Sequence, residues 1–172
     1  NYDFKKEIFP IIEPVIMDKA ARVMSLRDAL KKMSKSDSSD YSRIMLSDDP
    51  KEIELKIKKA KTDPKPFPNN LDDAKLRPEA YNLINIYASI NNLEINEVIK
   101  EYADVEFSKF KKKLSDSLIS ILNPINIEIE KLLSDLSYLD QIINDGAVKA
   151  REIAQPVIKE VYENIGFLTK SF

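Results

Sequence analysis

Lys31-Lys32-Met33-Ser34-Lys35-Ser36-Asp37 is the stretch of this 172-residue chain that decides both its fold and its function. It places the ammonium groups of Lys32 and Lys35 three residues apart, between hydroxyl side chains, in a segment too polar to pack in a core. Lysine is a compact, mobile cation that suits a polyphosphate whose charge changes during a reaction. Ser34 and Ser36 can donate hydrogen bonds to phosphate oxygens. The stretch predicts a polyphosphate-binding loop, although on its own it also fits an ordinary solvated loop.

The residues on both sides of this loop continue in a recognisable order. The loop reads K-M-S-K-S, residues 23–26 precede it as Val-Met-Ser-Leu, and residues 48–50 follow it as Asp-Asp-Pro. In this order the chain resembles the C-terminal portion of the bacterial-type tryptophanyl-tRNA synthetases, which are class I aminoacyl-tRNA synthetases. The resemblance extends through residues 107–111 to Ile-Gly-Phe-Leu at residues 165–168, so it covers almost the whole chain. A solvated loop alone does not account for that order.

The resemblance implies a reaction and a set of site residues. The reaction is the ATP-dependent activation of tryptophan and its transfer to tRNA(Trp), with ATP and its Mg²⁺ as substrate rather than as tightly bound cofactor. Lys32 and Lys35 would be catalytic, because cations placed at the departing pyrophosphate stabilise the charge that grows there. The backbone of Val23 would hold the adenine ring, unless Val23 is simply a buried strand residue. The implied ATP-binding residues are Val23, Lys32, Met33, Ser34, Lys35 and Ser36.

The expected fold is mainly α. A helical bundle of the anticodon-binding type follows a short strand near residues 23–26 and the K-M-S-K-S loop, both from the edge of a Rossmann-like class I catalytic domain. We therefore predict a remnant of the nucleotide-binding domain over residues 1–47 and a helical C-terminal domain over residues 48–172. Only two glycines are present, which disfavours a turn-rich β architecture.

Proline positions and apolar periodicity predict where the helices lie. The first should begin at Pro50, and Pro64, Pro66 and Pro68 should make residues 63–76 an extended linker. Pro124 should kink or break a long helix, because proline removes one amide donor. Further helices are expected over residues 78–91, 96–103, 107–133 and 138–165, the last with an inward apolar stripe. Tyr41 and Phe67 fall outside this spacing and could stack on a base.

Missing residue types exclude several chemistries. With no histidine and no cysteine, the chain holds neither a Ser-His nor a Cys-His nucleophile pair, and no ordinary zinc site. Two glycines cannot make a phosphate loop or a dinucleotide fingerprint. We predict no metal site, because capping and solvation account for Asp37, Asp40, Asp48 and Asp49. The family's other signature, His-Ile-Gly-His, and its amino-acid pocket are also missing, so we expect this chain alone to be inactive.

Charge and composition indicate the partners. The net charge is −2, yet residues 31–61 carry more lysine and arginine than aspartate and glutamate, which favours an anionic ligand at the loop. Lys109, Lys111, Lys112 and Lys113 could contact tRNA phosphates, or could form a solvated helix face. The resemblance implies a cytoplasmic protein that is a homodimer at full length, and we predict no membrane contact. The alternative function is a non-catalytic helical RNA- or protein-binding module derived from a class I synthetase.

Overall fold

The computed structural model describes residue 9, residues 11–16 and residues 21–168. Parts of the predicted 1–47 domain and the last four residues thus lie outside the described residues. Within the described part the chain is mainly helical, which confirms the predicted fold class. The helices are α1 (Pro50–Lys59), α2 (Leu71–Lys75), α3 (Pro78–Ile90), α4 (Ile95–Tyr102), α5 (Phe107–Ser134) and α6 (Leu136–Ile165).

Helix α1 begins where the Asp-Asp-Pro sequence predicts it. Its N-cap is Asp49, whose carboxylate accepts a hydrogen bond from the Glu52 amide at 2.8 Å. The Glu52 carboxylate in turn accepts a hydrogen bond from the Asp49 amide at 2.9 Å. Pro50 stands in the first turn, where the amide that proline lacks would have no partner inside the helix. This reciprocal cap fixes the start of the helix that follows the K-M-S-K-S loop.

The apolar stripes of α1, α3, α4 and the first half of α5 are buried, as helical spacing predicts. An apolar stripe stabilises a helix chiefly because its side chains are removed from water. These four stripes therefore account for most of the packing. The buried members of the stripes are Ile53, Ile57, Ala60, Leu83, Ile84, Tyr87, Val98, Ile99, Tyr102, Phe110, Leu114 and Leu118.

Phe67 is the largest departure from the sequence-based expectation in this core. The prolines predict an extended linker here, and the spacing leaves the Phe67 ring free to stack on a base. The structure contradicts both. The Phe67 ring is only 1% exposed and lies 4.6 Å from the ring of Phe110, and α2 forms inside the predicted linker. The Phe67 amide donates to the Val105 carbonyl at 2.9 Å. Proline spacing could not reveal this burial, because the rings that enclose Phe67 come from α4 and α5.

An ion pair between Arg77 and Asp63 holds the segment around α2 in place. Arg77 precedes α3, and its guanidinium donates to both carboxylate oxygens of Asp63 at 2.7 and 2.8 Å. It also donates to the Pro66 carbonyl at 2.8 Å and pairs with Asp73 at 3.2 Å. Arg77 is buried, so its paired geometry positions the segment from residue 63 to residue 77.

We predict that Asp63 makes stability depend on acid pH. Burial alone would raise the pKa of the Asp63 carboxyl, but hydrogen bonds from Arg77 outweigh burial and lower it. A carboxylate with a lowered pKa in the folded state stabilises the fold above its unfolded-state pKa, and this stabilisation disappears as the pH falls through the folded-state value. The stability difference between wild type and Asp63→Asn should therefore shrink on acidification.

Urea unfolding followed by circular dichroism at several acidic pH values measures this difference. Asp116→Asn, which alters an exposed carboxylate on α5, is the control and should track the wild type throughout. A difference between wild type and Asp63→Asn that stays constant down to strongly acidic pH would contradict the assignment.

The strand predicted over residues 23–26 is reduced to one antiparallel bridge, between Met24 and Lys32. No other strand of the described residues lies beside it, and a strand needs a paired neighbour. The side chain of Asn82, on α3, takes the place of that neighbour. Its amide nitrogen donates to the Met24 carbonyl and its amide oxygen accepts from the Met24 amide, each at 2.9 Å. Asn82 is only 5% exposed, so this pairing is protected from water.

The two prolines inside long helices do not interrupt them. Helix α5 continues through Pro124 and α6 continues through Pro156. Of the kink or break predicted at Pro124, the break does not occur and the kink stays a prediction. The inward stripe predicted for α6 is wrong, because no residue of α6 is buried. An amphipathic pattern shows which face can be buried, but it does not supply the surface that covers that face.

The contacts divide the chain into two compact units, Ile16–Glu130, and Asn1–Val15 with Lys131–Phe172. The first unit contains both the K-M-S-K-S loop and α1 to α4. The domain boundary that we predict between residues 47 and 48 stays a prediction. Within the described residues, no helix has the length and apolarity that a membrane crossing requires.

Candidate functional site

The lysine loop, which contains the K-M-S-K-S sequence, is a short loop whose two ends are held by backbone hydrogen bonds. At its first end the Met33 amide donates to the Val23 carbonyl at 3.0 Å, next to the bridge between Met24 and Lys32. At its second end the Leu26 amide donates to the Ser42 carbonyl at 2.9 Å. Residues 34–39 protrude between these two points.

The two candidate catalytic lysines occupy different places on this loop. Lys32 lies at the first end, where its backbone is part of the bridge, whereas Lys35 lies in the protruding segment. Both side chains are exposed, and neither has a hydrogen-bond or ion-pair partner among the described residues. Unpaired ammonium groups on a polar loop are available to an anionic ligand.

The serines and Asp37 shape the protruding segment. The hydroxyl oxygens of Ser34 and Ser36 lie 3.1 Å apart, within hydrogen-bond distance of each other. The Asp37 carboxylate accepts a hydrogen bond from the Ser39 amide at 2.8 Å, a local turn that aspartate commonly makes. The hydroxyls of Ser34 and Ser36 are exposed and can exchange this mutual bond for one to a phosphate.

Val23 and Met33 come together beneath the loop. Both line an apolar cavity of about 200 Å³, whose walls also include Leu26, Ile57 and Ile90. The Val23 carbonyl is bonded to Met33, and the Val23 amide has no partner within the described part of the chain. The backbone amide is therefore the group that Val23 could offer to a ligand. Asn82 holds the neighbouring Met24 in place.

Lys56 is a site residue that we did not predict. Its ammonium lies 2.7 and 2.8 Å from the two carboxylate oxygens of Asp48 and 3.0 Å from Asp40, while its side chain is only 3% exposed. Burial alone would lower the Lys56 pKa, but the hydrogen bonds to Asp48 and Asp40 outweigh burial and raise it. Helical spacing contained the signal, because Lys56 shares a face of α1 with Ile53 and Ile57.

Arg43 contacts several groups at the second end of the loop. Its guanidinium donates to the carbonyls of Asp37 at 3.0 Å and Ser39 at 3.2 Å, and it pairs with the Asp40 carboxylate at 3.0 Å. Arg43 and Lys56 thus share Asp40. Sequence reasoning treated Asp37, Asp40 and Asp48 as caps and solvated charges, and the structure instead assigns Asp40 and Asp48 to this ion-pair network.

Lys111 differs from the other candidate tRNA-binding lysines. It is half-buried, and its ammonium donates to the Ala60 carbonyl at 2.6 Å, while Arg27 donates to the Lys59 carbonyl at 2.5 Å. These carbonyls belong to the end of α1, where helix carbonyls lack intrahelical partners and attract cations. Burial lowers the Lys111 pKa, and the nearby Arg27 adds to this effect. Lys111 therefore links α5 to α1.

The remaining lysines of this group face different surroundings. Lys112 lines a cavity of about 400 Å³ together with Lys58 and Thr62, whereas Lys113 lines another of about 370 Å³ that also includes Tyr87. Lys109 and Lys112 are exposed. Their role towards tRNA stays a prediction. Lys112 shares its cavity with Lys111 but not with Lys113.

Among the described residues, no three or more His, Cys, Asp or Glu side chains lie close enough together to hold a metal ion. Magnesium usually keeps several waters and binds through substrate phosphates together with one or two carboxylates. A Mg²⁺ ion that arrives with ATP would therefore not require such a group in this chain.

Comparison with known proteins gives consistent results. A family model described as tRNA synthetases class I (W and Y) matches residues 2–123. The tryptophan–tRNA ligase of Rhizobium meliloti is 49% identical over 160 residues, which is 93% of this chain and 45% of that protein. The tryptophan–tRNA ligase of Rickettsia felis is 45% identical over 168 residues, 98% of this chain and 50% of that protein. The chain thus spans about half the length of these curated relatives.

Solved structures resemble the fold. The tryptophanyl-tRNA synthetase of Mycoplasma pneumoniae superposes with a TM-score of 0.74 at 20% identity, over 88% of this chain and 45% of that one. The tryptophanyl-tRNA synthetase of Campylobacter jejuni, crystallised with ADP and tryptophan, gives a TM-score of 0.64 at 24% identity, over 94% of this chain and 48% of that one.

Proposed function

The chain belongs to the class I tRNA synthetases of the tryptophan and tyrosine type, and from this we propose that its parent protein is a tryptophan–tRNA ligase. In that protein this chain supplies the loop that acts on ATP and the helical region that meets tRNA. The family includes two amino-acid specificities, and the tryptophan assignment rests on the names of the curated relatives. The pocket that selects the amino acid would lie in the part of the parent protein that this chain does not span.

The observation that carries the proposal is the geometry of the lysine loop. The ammonium groups of Lys32 and Lys35 are exposed and unpaired, and they lie on a loop whose ends are hydrogen-bonded to residues 23–26. Those residues offer a backbone amide at Val23, which supports the proposal that the cations and the amide serve one ATP site.

The loop's role follows from the charge changes of the reaction. When a carboxylate attacks the α-phosphate of ATP, the bond to the β-phosphate breaks and negative charge accumulates on the departing pyrophosphate. Lys32 and Lys35 would stabilise that charge more in the transition state than in the ground state, which is what accelerates a reaction. The hydroxyls of Ser34 and Ser36 would donate to phosphate oxygens. The Val23 amide would donate to the adenine ring, and Met33 would support the ring from below.

The partners of the proposed enzyme are ATP carrying Mg²⁺, tryptophan and tRNA(Trp), and the reaction would take place in the cytoplasm. We also propose that the parent protein is a homodimer. The dimer would be tested by light scattering of the parent protein after gel filtration, where the mass of a monomer would rule it out.

Pyrophosphate exchange into ATP tests the proposed activity. The full-length parent protein should exchange pyrophosphate when tryptophan is present and far less when tyrosine replaces it. The 172-residue chain alone should show no exchange with either amino acid. An inactive parent protein would favour the alternative, a non-catalytic RNA- or protein-binding module.

We predict that the exposed lysines of α5 contribute to tRNA binding without affecting ATP chemistry. In the parent protein, replacing Lys109, Lys112 and Lys113 with glutamine should raise the Michaelis constant for tRNA and flatten its dependence on salt. The expected change of slope is roughly 0.7 for each single-strand phosphate contact that is lost, because each contact releases counterions. Pyrophosphate exchange should stay unchanged.

Lys111→Gln is the matched comparison, because it removes a lysine of the same cluster whose ammonium binds a carbonyl of α1. It should lower the melting temperature and leave the salt slope of tRNA binding unchanged. If the triple variant binds tRNA with the wild-type salt slope, these lysines form only a solvated helix face.

A further inference from the structure

An exposed carboxylate adds a second attachment at the end of the lysine loop, beside the hydrogen bond from the Leu26 amide to the Ser42 carbonyl. Asp40 lies five residues after Lys35, and its side chain is 62% exposed. Its two carboxylate oxygens reach different cations, Lys56 at 3.0 Å and Arg43 at 3.0 Å. Two residues later, Ser42 is buried at 1% exposure. Asp40 is therefore an exposed residue that stands close to the buried anchor of the loop.

The two sides of this contact differ in rigidity. Lys56 is 3% exposed and has a second partner in Asp48, whose carboxylate lies 2.7 Å from the ammonium. Asp48 is itself held, because its carboxylate accepts the Met45 amide at 2.8 Å. Lys56 and Asp48 are thus fixed in the core, whereas Asp40 can exchange its ion pairs for water at small cost. Such a contact can hold a loop and still release it.

We propose that Asp40 is a positioning residue for the ATP reaction: by pairing with Lys56 and Arg43 it restricts the loop so that Lys35 is held ready for the phosphates of ATP. This inference rests on the proposed function. It adds a residue outside the K-M-S-K-S sequence that acts on ATP only through Lys35. Arg43 completes the arrangement, since it also binds the Asp37 and Ser39 carbonyls between Lys35 and Asp40.

A double-mutant cycle tests the proposal in the full-length parent protein. Asp40→Asn should lower kcat/KM for ATP in tryptophan-dependent pyrophosphate exchange by about fivefold, as expected for the loss of an exposed ion pair. The Michaelis constant for tryptophan should not change. In a Lys35→Ala background the same substitution should have less than about a twofold effect, because residues that act through one another are not additive.

Hydrogen exchange gives a readout that does not depend on activity. The amides of residues 34–39 should exchange faster in Asp40→Asn than in wild type, while the amides of α3 should be unaffected. Asp116→Asn, a change of an exposed carboxylate on α5, should alter neither exchange nor kinetics.

The possible results separate the two proposals. If Asp40→Asn reduces activity equally with and without Lys35, or leaves both activity and loop exchange unchanged, the positioning role is overturned. If the wild-type parent protein lacks tryptophan-dependent exchange altogether, the proposed function fails first. In that case faster loop exchange in Asp40→Asn would still support restriction of the loop by Asp40, and unchanged exchange would overturn that as well.

Discussion

Replacing Asp48 with alanine is expected to destabilise the fold by about 3–5 kcal/mol, because it leaves the buried Lys56 ammonium without its main partner. Lys56 is 3% exposed and Asp48 is 7% exposed, so water cannot take over the lost contacts. Asp40 would remain within 3.0 Å of Lys56, but it is mostly exposed and cannot satisfy the other ammonium hydrogens. The Met45 amide would lose its acceptor as well.

A double variant separates the cost of a buried charge from the loss of packing. Asp48→Leu combined with Lys56→Met removes both charges and keeps comparable volume, and such replacements are often close to neutral. We therefore expect the double variant to be more stable than Asp48→Ala, although it still lacks the acceptor for Met45. Urea unfolding followed by circular dichroism measures both. A double variant less stable than the single one would show that packing, rather than the unpaired charge, dominates.

The pH dependence of this effect has a defined sign. Because the Lys56 pKa is raised, the stabilisation from its charged form is complete below the ordinary lysine pKa and is lost as the pH rises through the higher folded-state value. The stability difference between wild type and Asp48→Ala should therefore remain constant across neutral pH and decrease only in strongly alkaline solution.

Local signals in the sequence were sufficient to predict the helices other than α2. Asp49, Pro50 and Glu52 form a cap within four residues, so the start of α1 depends on nothing distant. The apolar spacing of α3 and α4 likewise predicts which residues are buried, since a helix face is set by its own period. The lysine loop could also be predicted, because polar side chains that cannot pack must remain at the surface.

Features that depend on distant partners could not be predicted in this way. Asn82 substitutes for a missing strand by pairing with Met24, which lies 58 residues away. Phe67 is enclosed by rings from later helices, although prolines surround it in the sequence. In both cases the residue type allowed several environments, and only the tertiary contacts selected one of them.

Lys56 shows an intermediate case. Its position one turn from Ile53 and beside Ile57 indicates the buried face of α1, yet it stands in a lysine-rich stretch that suggests solvent. A charged lysine on an apolar face needs a partner for its ammonium, because a buried ammonium without one is costly. The spacing thus contains a signal for a partner that our sequence analysis does not use, whereas the identity of Asp48 requires the structure.

Lys35→Ala in the full-length parent protein is expected to reduce kcat for tryptophan-dependent pyrophosphate exchange by about 30- to 1,000-fold. This range corresponds to a loss of about 2–4 kcal/mol of transition-state stabilisation, the magnitude typical of a preorganised group at a developing charge. The same holds for Lys32→Ala. Unlike Lys35, Lys32 is held by its backbone bridge to Met24, so its effect should not depend on Asp40.

Lys31 provides a matched control, because it is an exposed lysine of the same stretch whose ammonium pairs with Asp28 at 3.4 Å. If the positive field of the loop were all that mattered, Lys31→Ala would lower kcat as much as Lys35→Ala. If Lys35 instead contacts the pyrophosphate, Lys31→Ala should remain near wild type. Lys35→Arg should recover only part of the rate, since a planar guanidinium cannot reproduce the compact charge of an ammonium.

Whether Lys35→Ala changes kcat or the KM for ATP shows whether Lys35 acts in catalysis or only in ATP binding. An interaction made only in the transition state lowers kcat and kcat/KM by the same factor, whereas uniform binding of ATP raises KM and leaves kcat unchanged. We expect the first pattern for ATP and an unchanged KM for tryptophan. A Lys35→Ala enzyme with normal kcat and a raised KM for ATP would mean that the loop binds ATP without catalysing the reaction. The role of Asp40 would then be to support ATP binding alone.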